Sequence, residues 1–386
     1  MASLQKQSDQ ENLTKNTFNT MQKKINYAGP SITTEDADAV RDAVLNGFYE
    51  NYRVHATALE SALAELLGVK YVIATNSCTA ALHLAVASLG LGKGDEVITT
   101  DSSCVASAMP IAYENATPVF VDVDPNTWCL SPQAIRNAIT PKTKAILAVH
   151  WNGHPADMGE IMKIADEHNL LVIEDAAAAL GAKIGNRRVG SIGNVGCYSF
   201  QGAKVAIGGQ GGAYVTNDSK AYERAKQLAS YGRTDSKMAY WSDDIGWNYS
   251  MPNLPAALAT SQLKRLDQLI EFKRALFSQY KKRLNGVKNI RLIEELPGTW
   301  STCCYPPLLL GDGYQVSRGE LLAKLKQKNI DARNAQPRMS QMPMFESRFI
   351  NTVAEKIETN GVILPSAFNL GLDDIDRVCE EIIRFS

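Results

Sequence analysis

Lys204 is the single lysine in the stretch "YSFQGAKVAIGGQGGAYV", which consists mostly of small, hydroxyl and glycine residues. An amine in such a stretch is either a solvated surface group or a group held in a pocket, where it can form a Schiff base with an aldehyde. Ser199 precedes it in the spacing Ser-x-x-x-x-Lys, and the following glycines allow the backbone to approach a ligand closely. Which of the two applies depends on whether other residues complete a pocket.

Two further groups of residues could complete such a pocket. Asp175 ends the apolar run "LLVIED". A carboxylate there either caps the next helix or meets a cation, such as a protonated heterocyclic nitrogen. Ser77, Cys78, Thr79 and Ala80 follow "YVIAT" and open a helical pattern. Small and hydroxyl residues at that position either cap the helix or leave its N–H groups free to bind an anion.

The order of these three groups indicates one cofactor. A phosphate, a protonated ring nitrogen and an aldehyde carbon occur together in pyridoxal 5'-phosphate, whose chemistry needs a lysine and an acidic partner for the ring nitrogen. The sequence therefore predicts pyridoxal phosphate as the cofactor, Lys204 and Asp175 as the catalytic residues, and no metal ion.

A largely parallel sheet is predicted to position these residues, because short apolar runs alternate with longer helical segments. The runs lack a two-residue period, as is typical of strands buried on both faces. They are "YVIAT", "EVITT", "PVFVDV", "KAILAVH" and "LLVIED". Ligands bind outside the carboxyl ends of such strands, so the site is expected at the tips after Thr75, Thr100, His150 and Asp175.

The domain organisation follows from the same patterns. We expect a flexible N-terminal arm over residues 1–26, a large cofactor-binding domain over 27–262 and a smaller α/β domain over 263–386. Apolar residues at helical spacing predict one long helix over 253–284, leading from the large domain into the small one.

Composition narrows the class of partner. The chain of 386 residues has 40 Lys and Arg against 41 Asp and Glu, a formal charge of -1, which gives no reason to expect nucleic acid or an anionic membrane. No apolar stretch approaches the roughly 20 residues that span a bilayer. Seven cysteines without CxxC spacing suit a reducing cytoplasm and argue against a structural zinc site.

Several blocks of the sequence resemble the DegT/DnrJ/StrS aminotransferases, which act on sugars, cyclitols and related compounds. The blocks are "SCTAALHLAVA", "TPKTKAILAVHWNGHPADM", "LLVIEDAAAALGA", "VGSIGNVGCYSF" and "IGWNYSMPNLPAALATSQLKRLD". The resemblance covers about residues 28–380. It implies an α/β protein of fold type I, like aspartate aminotransferase, that forms a homodimer with active sites at the subunit interface.

The resemblance also implies a role for each matching residue. Lys204 would form the Schiff base with the cofactor and then move the proton between substrate and cofactor carbons, while Asp175 would pair with the ring nitrogen. Thr79, Ala80 and Ser199 would hold the phosphate, together with Asn248 of the partner subunit. The complete predicted cofactor-binding set is Ser77, Cys78, Thr79, Ala80, Cys104, Asp175, Ala177, Ala178, Ser199, Lys204 and Asn248.

Some positions depart from the family pattern. Cys104 stands where an aromatic side chain usually stacks on the pyridoxal ring, and Ala178 where a Gln, Glu or His usually approaches the ring hydroxyl. Cys78, Gln210 and Ser250 replace the usual Gly, Glu and Arg. Since Ser cannot reproduce the bidentate contacts of Arg, we expect substrate or amino-donor contacts that differ from the family's norm.

The leading hypothesis is an aminotransferase that moves an amino group from glutamate or glutamine to a keto-sugar, most readily a nucleotide-linked one, for amino-sugar biosynthesis. One alternative is an aminotransferase or dehydratase acting on a cyclitol, a free sugar phosphate or an aminoshikimate-type substrate. Another is a catalytically impaired relative that binds a ligand or regulates. The residues leave all three open.

Overall fold

The structure is a computed structural model that describes residues 23–234, 238 and 240–386. Residues 1–22, most of the predicted arm, lie outside this described part. At the end of the predicted arm, Ile25 is buried and pairs with Ile330. The pairing consists of hydrogen bonds from Ile25 N to Asn329 O and from Asp331 N to Ile25 O, both 2.9 Å long. The chain is therefore packed against the C-terminal part of the protein from Ile25 onward.

Helices and strands alternate along the first part of the chain. The helices are α1 (Thr34–Asn46), α2 (Val54–Leu67), α3 (Cys78–Ser88), α4 (Met109–Tyr113), α5 (Pro132–Ala138), α6 (Met158–His168), α7 (Ser219–Ala229), α8 (Asn253–Leu263), α9 (Leu266–Leu284), α10 (Arg318–Gln327), α11 (Thr352–Asn360) and α12 (Leu372–Ile383). The strands are β1 (Tyr71–Thr75), β2 (Glu96–Thr100), β3 (Thr117–Val121), β4 (Thr143–Val149), β5 (Leu171–Asp175), β6 (Lys183–Ile184), β7 (Arg187–Arg188), β8 (Val195–Ser199), β9 (Gly212–Thr216), β10 (Ile290–Leu292), β11 (Thr299–Trp300), β12 (Pro307–Leu310), β13 (Arg333–Asn334) and β14 (Gly361–Ile363).

The large sheet has seven strands in the order β1-β9-β8-β5-β4-β2-β3. The pairings β8–β5, β5–β4, β4–β2 and β2–β3 are parallel, and only β9 runs against its two neighbours. This arrangement confirms the predicted α/β class with a mostly parallel central sheet. It also brings the carboxyl ends of β2, β4, β5 and β8 to one edge.

Both faces of the large sheet are covered. Along β4, Ile146 belongs to one buried apolar cluster, whereas its neighbours Ala145 and Leu147 belong to another. Val172 and Ile173 of β5 divide in the same way. Because successive side chains of a strand point to opposite faces, the apolar runs of the sequence are explained by burial on both sides.

A second sheet lies in the C-terminal part, with four antiparallel strands in the order β10-β12-β14-β13. It is accompanied by α10, α11 and α12, as expected for a smaller α/β unit. The domain boundary between residues 262 and 263 stays a prediction. Within the described residues, no helix is long and apolar enough to cross a membrane.

The single helix predicted over 253–284 is wrong. The chain forms α8 and α9, which are separated at Lys264 and Arg265, and Arg265 has φ -121° and ψ 22°. The guanidinium of Arg265 donates to Ser31 Oγ and Asp36 Oδ2, each over 2.7 Å. The break between the two helices thus coincides with contacts to residues that are far away in the sequence, and the local helical periodicity does not reveal it.

Candidate active site

A cavity of about 330 Å³ opens at the carboxyl edge of the parallel strands. The ends of β4, β5 and β8 contribute Val149, Asp175 and Ser199 to its wall. Nine of the predicted site residues line it: Ser77, Cys78, Thr79, Cys104, Asp175, Ala177, Ala178, Ser199 and Lys204. The structure therefore brings these nine residues together at the strand tips.

Two predicted site residues do not line this cavity. Ala80 is buried in the first turn of α3, where its N–H donates to Ser77 Oγ over 3.1 Å. That N–H is therefore used within the helix cap. Asn248 is exposed, and its carbonyl accepts a hydrogen bond of 3.0 Å from Asn76 Nδ2.

Asp175 presents a carboxylate that is held in place from two sides. The residue is 5% exposed at the end of β5. Ser107 Oγ donates to Oδ2 over 2.7 Å, and the backbone N–H of Ala177 donates to Oδ1 over 3.1 Å. Ser103 Oγ is in turn 3.1 Å from Ser107 Oγ. A buried carboxylate with fixed orientation is suited to pair with a protonated ring nitrogen.

Lys204 lies in the turn that joins β8 and β9. Its Nζ is 5.5 Å from the centre of the Tyr305 ring. The hydroxyl of Tyr305 donates to the carbonyl of Ala203 over 2.8 Å, so the same tyrosine contacts both the amine and the turn that carries it. Burial, followed by the effect of Cys304, raises the pKa of the Tyr305 hydroxyl well above its usual value. The hydroxyl therefore stays a neutral donor.

The N-terminus of α3 forms another part of the wall. Ser77 caps this helix, and Cys78 and Thr79 in its first turn line the cavity. A Cβ on Gly212 would come within 2.5 Å of Cys78 N, so only glycine lets β9 pass this close to the helix start. Burial and the charge of Asp175 raise the pKa of the Cys78 thiol against the opposing effect of Lys204. The thiol is therefore neutral beside helix N–H groups that can bind an anion.

His150 lines the cavity but has no free ring nitrogen. Its Nδ1 accepts from Ala156 N over 3.0 Å, which leaves Nε2 to donate to Glu174 Oε2 over 3.0 Å. Glu174 also accepts from the backbone N–H groups of Gly190, Ile192 and Gly193, each over 2.6 Å. His150 and Glu174 thus brace the strand ends and do not form a proton relay.

The wall also contains residues that sequence reasoning missed, among them Ser107, Trp151, Asn152, Tyr305 and Gln336. Ligands bind outside the carboxyl ends of parallel strands, and one such end was expected at His150. A search of the residues that follow His150 could therefore have found Trp151 and Asn152. Tyr305 and Gln336 belong to the C-terminal part of the chain. No sequence motif around either residue indicates that it lines the cavity.

The cavity fits pyridoxal phosphate. It combines an amine, a buried carboxylate and a helix N-terminus with apolar walls at Leu82 and Val149. Among the described residues that line it, Lys204 is the only lysine or arginine and Asp175 the only carboxylate. The three chemical groups that the cofactor needs are therefore present once each.

A lysine and a strand-end carboxylate that line one cavity at the edge of a mostly parallel sheet are the arrangement expected of a fold-type I pyridoxal-phosphate enzyme. The chain matches the DegT/DnrJ/EryC1/StrS aminotransferase family over residues 30–383 and belongs to that family. It is a pyridoxal-phosphate-dependent aminotransferase. This confirms the predicted family, cofactor and enzyme class.

Individual relatives show how far the similarity extends. GDP-perosamine synthase of Escherichia coli O157:H7 is 35% identical over 357 residues, covering 92% of this chain and 97% of that protein. The L-glutamine:2-deoxy-scyllo-inosose aminotransferase of Micromonospora echinospora is 38% identical over 240 residues, 60% of this chain and 57% of that protein. The crystal structure of the aminotransferase TlmJ from Streptoalloteichus hindustanus superposes with a TM-score of 0.88 at 27% identity, covering 93% of this chain and 98% of that one.

Proposed function

We propose that this enzyme transfers an amino group from L-glutamine or L-glutamate to a nucleotide-linked keto-sugar in amino-sugar biosynthesis. The observation that carries the proposal is the similarity to GDP-perosamine synthase over 92% of the chain, since that name describes a nucleotide-linked amino sugar. The cavity supports it, because Lys204 and Asp175 are the only lysine, arginine or carboxylate side chains among the described residues of its wall, which also offers uncharged polar groups.

The residues of the cavity have distinct roles in this proposal. Pyridoxal phosphate, when bound, supplies an electron sink for the carbon that gains or loses the amino group. Lys204 Nζ removes and returns the proton at that carbon, while Asp175 keeps the ring nitrogen protonated. The N–H groups at the start of α3 and the hydroxyl of Ser199 hold the phosphate. Tyr305 and Ser107 position the two catalytic side chains.

A homodimer with shared sites completes the proposal. Asn248 is exposed and does not line the cavity of its own chain, so we place it at the phosphate site of the partner subunit. Large apolar side chains such as Tyr49 and Ile245 are 90% and 84% exposed, which suits a surface covered by a second copy. All seven cysteines are free, which suits a cytoplasmic enzyme.

Subunit mixing tests the shared site. Lys204→Ala and Asn248→Ala proteins are each purified, found weakly active, and then mixed under conditions that exchange subunits. A shared site predicts that mixed dimers regain activity, because one of the two sites then carries both substitutions and the other carries none. Sites built within single chains predict no recovery, since every site keeps one defect.

A cyclitol substrate is the second candidate, favoured by the 38% identity to the 2-deoxy-scyllo-inosose aminotransferase. Single-turnover half-reactions separate the two candidates through the loss or return of the yellow cofactor absorbance. The proposal predicts that GDP-perosamine bleaches the yellow form. The competing candidate predicts that 2-deoxy-scyllo-inosose restores it after bleaching by L-glutamine, and that GDP-perosamine has no effect.

Borohydride reduction of the same preparations tests whether Lys204 forms the Schiff base with the cofactor. The cofactor should become fixed to the peptide that contains Lys204, and Lys204→Ala should abolish this link. Reduction that attaches the cofactor to another lysine would contradict the assignment of Lys204.

A further inference from the structure

Asn152 lines the cavity, and its backbone has a positive φ, which is uncommon for a residue other than glycine. It lies in the short turn Trp151–Gly153 after β4, with φ 50° and ψ 24°, and the residue is 8% exposed. Among the described residues, its Nδ2 has no hydrogen-bond partner, and neither does Nε1 of the adjacent Trp151. Buried N–H donors are almost always paired, so these donors indicate a ligand.

The turn that carries Asn152 is rigid. Gly153 accepts at its carbonyl from Ser301 Oγ over 2.9 Å and from Thr302 N over 3.1 Å. A Cβ on Gly153 would come within 2.0 Å of Thr302 Oγ1, so the turn fits closely against residues 301–302. Asn152 is therefore held at the cavity before any ligand arrives.

Gln336 contributes an acceptor to the same cavity. Its Oε1 is buried and has no partner in the part of the chain that the structure describes. A buried carboxylate, Asp101, holds the following segment: it accepts from Ser340 N and Ser340 Oγ over 2.7 Å each, and from Asn351 Nδ2 over 2.8 Å. These bonds tie the segment after Gln336 to the end of β2.

The charge of the surroundings defines what these two amides can bind. Lys204 and Asp175 are the only lysine, arginine or carboxylate side chains among the described residues that line the cavity. Arg338, close to Gln336 in the chain, is paired with Glu358 over 2.7 Å and does not line the cavity. A carboxylate or phosphate beside Asn152 and Gln336 would therefore meet no cation of this chain other than Lys204.

We propose that Asn152 and Gln336 are specificity-determining residues that bind uncharged oxygens of the sugar ring, Asn152 as the donor and Gln336 as the acceptor. A sugar hydroxyl both accepts and donates, so the hydroxyls of one ring can satisfy both a donor and an acceptor of the wall. A site that hydrogen-bonds a hydroxyl rejects compounds that lack it, because its own polar groups are then left unpaired. The inference rests on the proposed function, since it assigns the sugar to the same cavity.

The test compares two amines in single-turnover reactions of the yellow holoenzyme. GDP-perosamine carries ring hydroxyls, and L-glutamine carries none. Asn152→Gly removes the amide and tolerates the positive φ, while Gln336→Met keeps the length of the side chain and removes its polar atoms. In each variant, kcat/KM for GDP-perosamine should fall about tenfold further than kcat/KM for L-glutamine, as expected for one lost hydrogen bond.

Asn169→Gly is the matched control. Asn169 also has a positive φ, 51°, but it caps the C-terminus of α6 and does not line the cavity. This variant should leave the ratio of the two amines unchanged. Equal losses for both amines, or no loss in either cavity variant, would overturn the inference.

The wild-type enzyme tests the proposed function separately, by whether it converts GDP-perosamine at all. If it instead converts only 2-deoxy-scyllo-inosose, the nucleotide-linked proposal fails, and the same variants are compared with that ketone against 2-oxoglutarate. A selective loss for the cyclitol ketone would still support the assignment of Asn152 and Gln336. An equal loss would refute it.

Discussion

Ser107 Oγ donates a hydrogen bond of 2.7 Å to Asp175 Oδ2, which fixes the carboxylate at the end of β5 from the side of the 3₁₀ turn Val105–Ser107. The other oxygen, Oδ1, accepts from Ala177 N over 3.1 Å. The orientation of the carboxylate is thus set by a neighbouring loop as well as by its own strand. A ring nitrogen in the cavity would meet a carboxylate whose orientation is already fixed.

Ser107→Ala should weaken cofactor binding. The variant loses a hydrogen bond to a charged group, worth about 1.5 kcal/mol, so the dissociation constant of pyridoxal phosphate should rise about tenfold. Titration of the cofactor-free protein with pyridoxal phosphate measures the change. Ser103→Ala is the control, because Ser103 contacts the Ser107 hydroxyl and not the carboxylate. If both variants weakened binding equally, the bond to Asp175 would not be the cause.

Tyr305→Phe and Tyr305→Leu should separate the two contacts of this residue. Phe keeps the ring near Lys204 Nζ and loses the bond to Ala203 O, whereas Leu loses both. A cation near an aromatic face gains about 0.5–1 kcal/mol. We therefore expect Leu to lower kcat of the L-glutamine half-reaction several-fold more than Phe, with little change in KM. Equal effects would assign the role to the hydroxyl alone.

The sequence predicts those parts of this site that depend on local chain patterns. Asp175 and Lys204 were recognisable because a buried strand ends at one and a glycine-rich turn surrounds the other. The flanking strands β8 and β9 were not assigned in advance. Each contains a glycine, a residue that is depleted in strands, and the pairing of β9 with both β1 and β8 is what makes them strands.

Residues brought in from a distance could not be predicted. Tyr305 and Gln336 reach the cavity through the packing of the second sheet, and no spacing in the sequence encodes that approach. Glu174 and Asp175 show a further limit of prediction from the sequence. They are adjacent carboxylates, and the pleat of β5 directs one into packed backbone and the other into the cavity.

Glu174→Gln should destabilise the fold. Burial favours the neutral acid, but the hydrogen bond from His150 and those from Gly193 and Gly190 hold the pKa of the Glu174 carboxyl below its usual value. An amide would turn an N–H group toward these donors, so the free energy of unfolding should fall by about 3 kcal/mol. Urea unfolding of the cofactor-free protein measures this loss. Glu114→Gln, at a partly exposed carboxylate that contacts His83, should cost less than about 1 kcal/mol.

His154→Leu should reduce the loss in the free energy of unfolding that occurs as the pH decreases. Burial, with smaller contributions from Lys281 and Arg274 and opposed by Glu295, lowers the pKa of the His154 imidazole to about 4. Both ring nitrogens are buried without a hydrogen-bond partner among the described residues. Since an unfolded histidine has a pKa of about 6.5, the unfolded chain binds more protons between the two values, and stability falls as the pH decreases through this window.

The wild-type protein should therefore lose about 2 kcal/mol more than His154→Leu between about pH 7 and about pH 5. Urea unfolding of both proteins at the two pH values gives this difference, and any absolute cost of the substitution cancels in it. His168→Leu is the control, because His168 is exposed at the end of α6 and its replacement should leave the wild-type pH dependence in place. Parallel losses in wild type and His154→Leu would show that His154 is not a source of acid destabilisation.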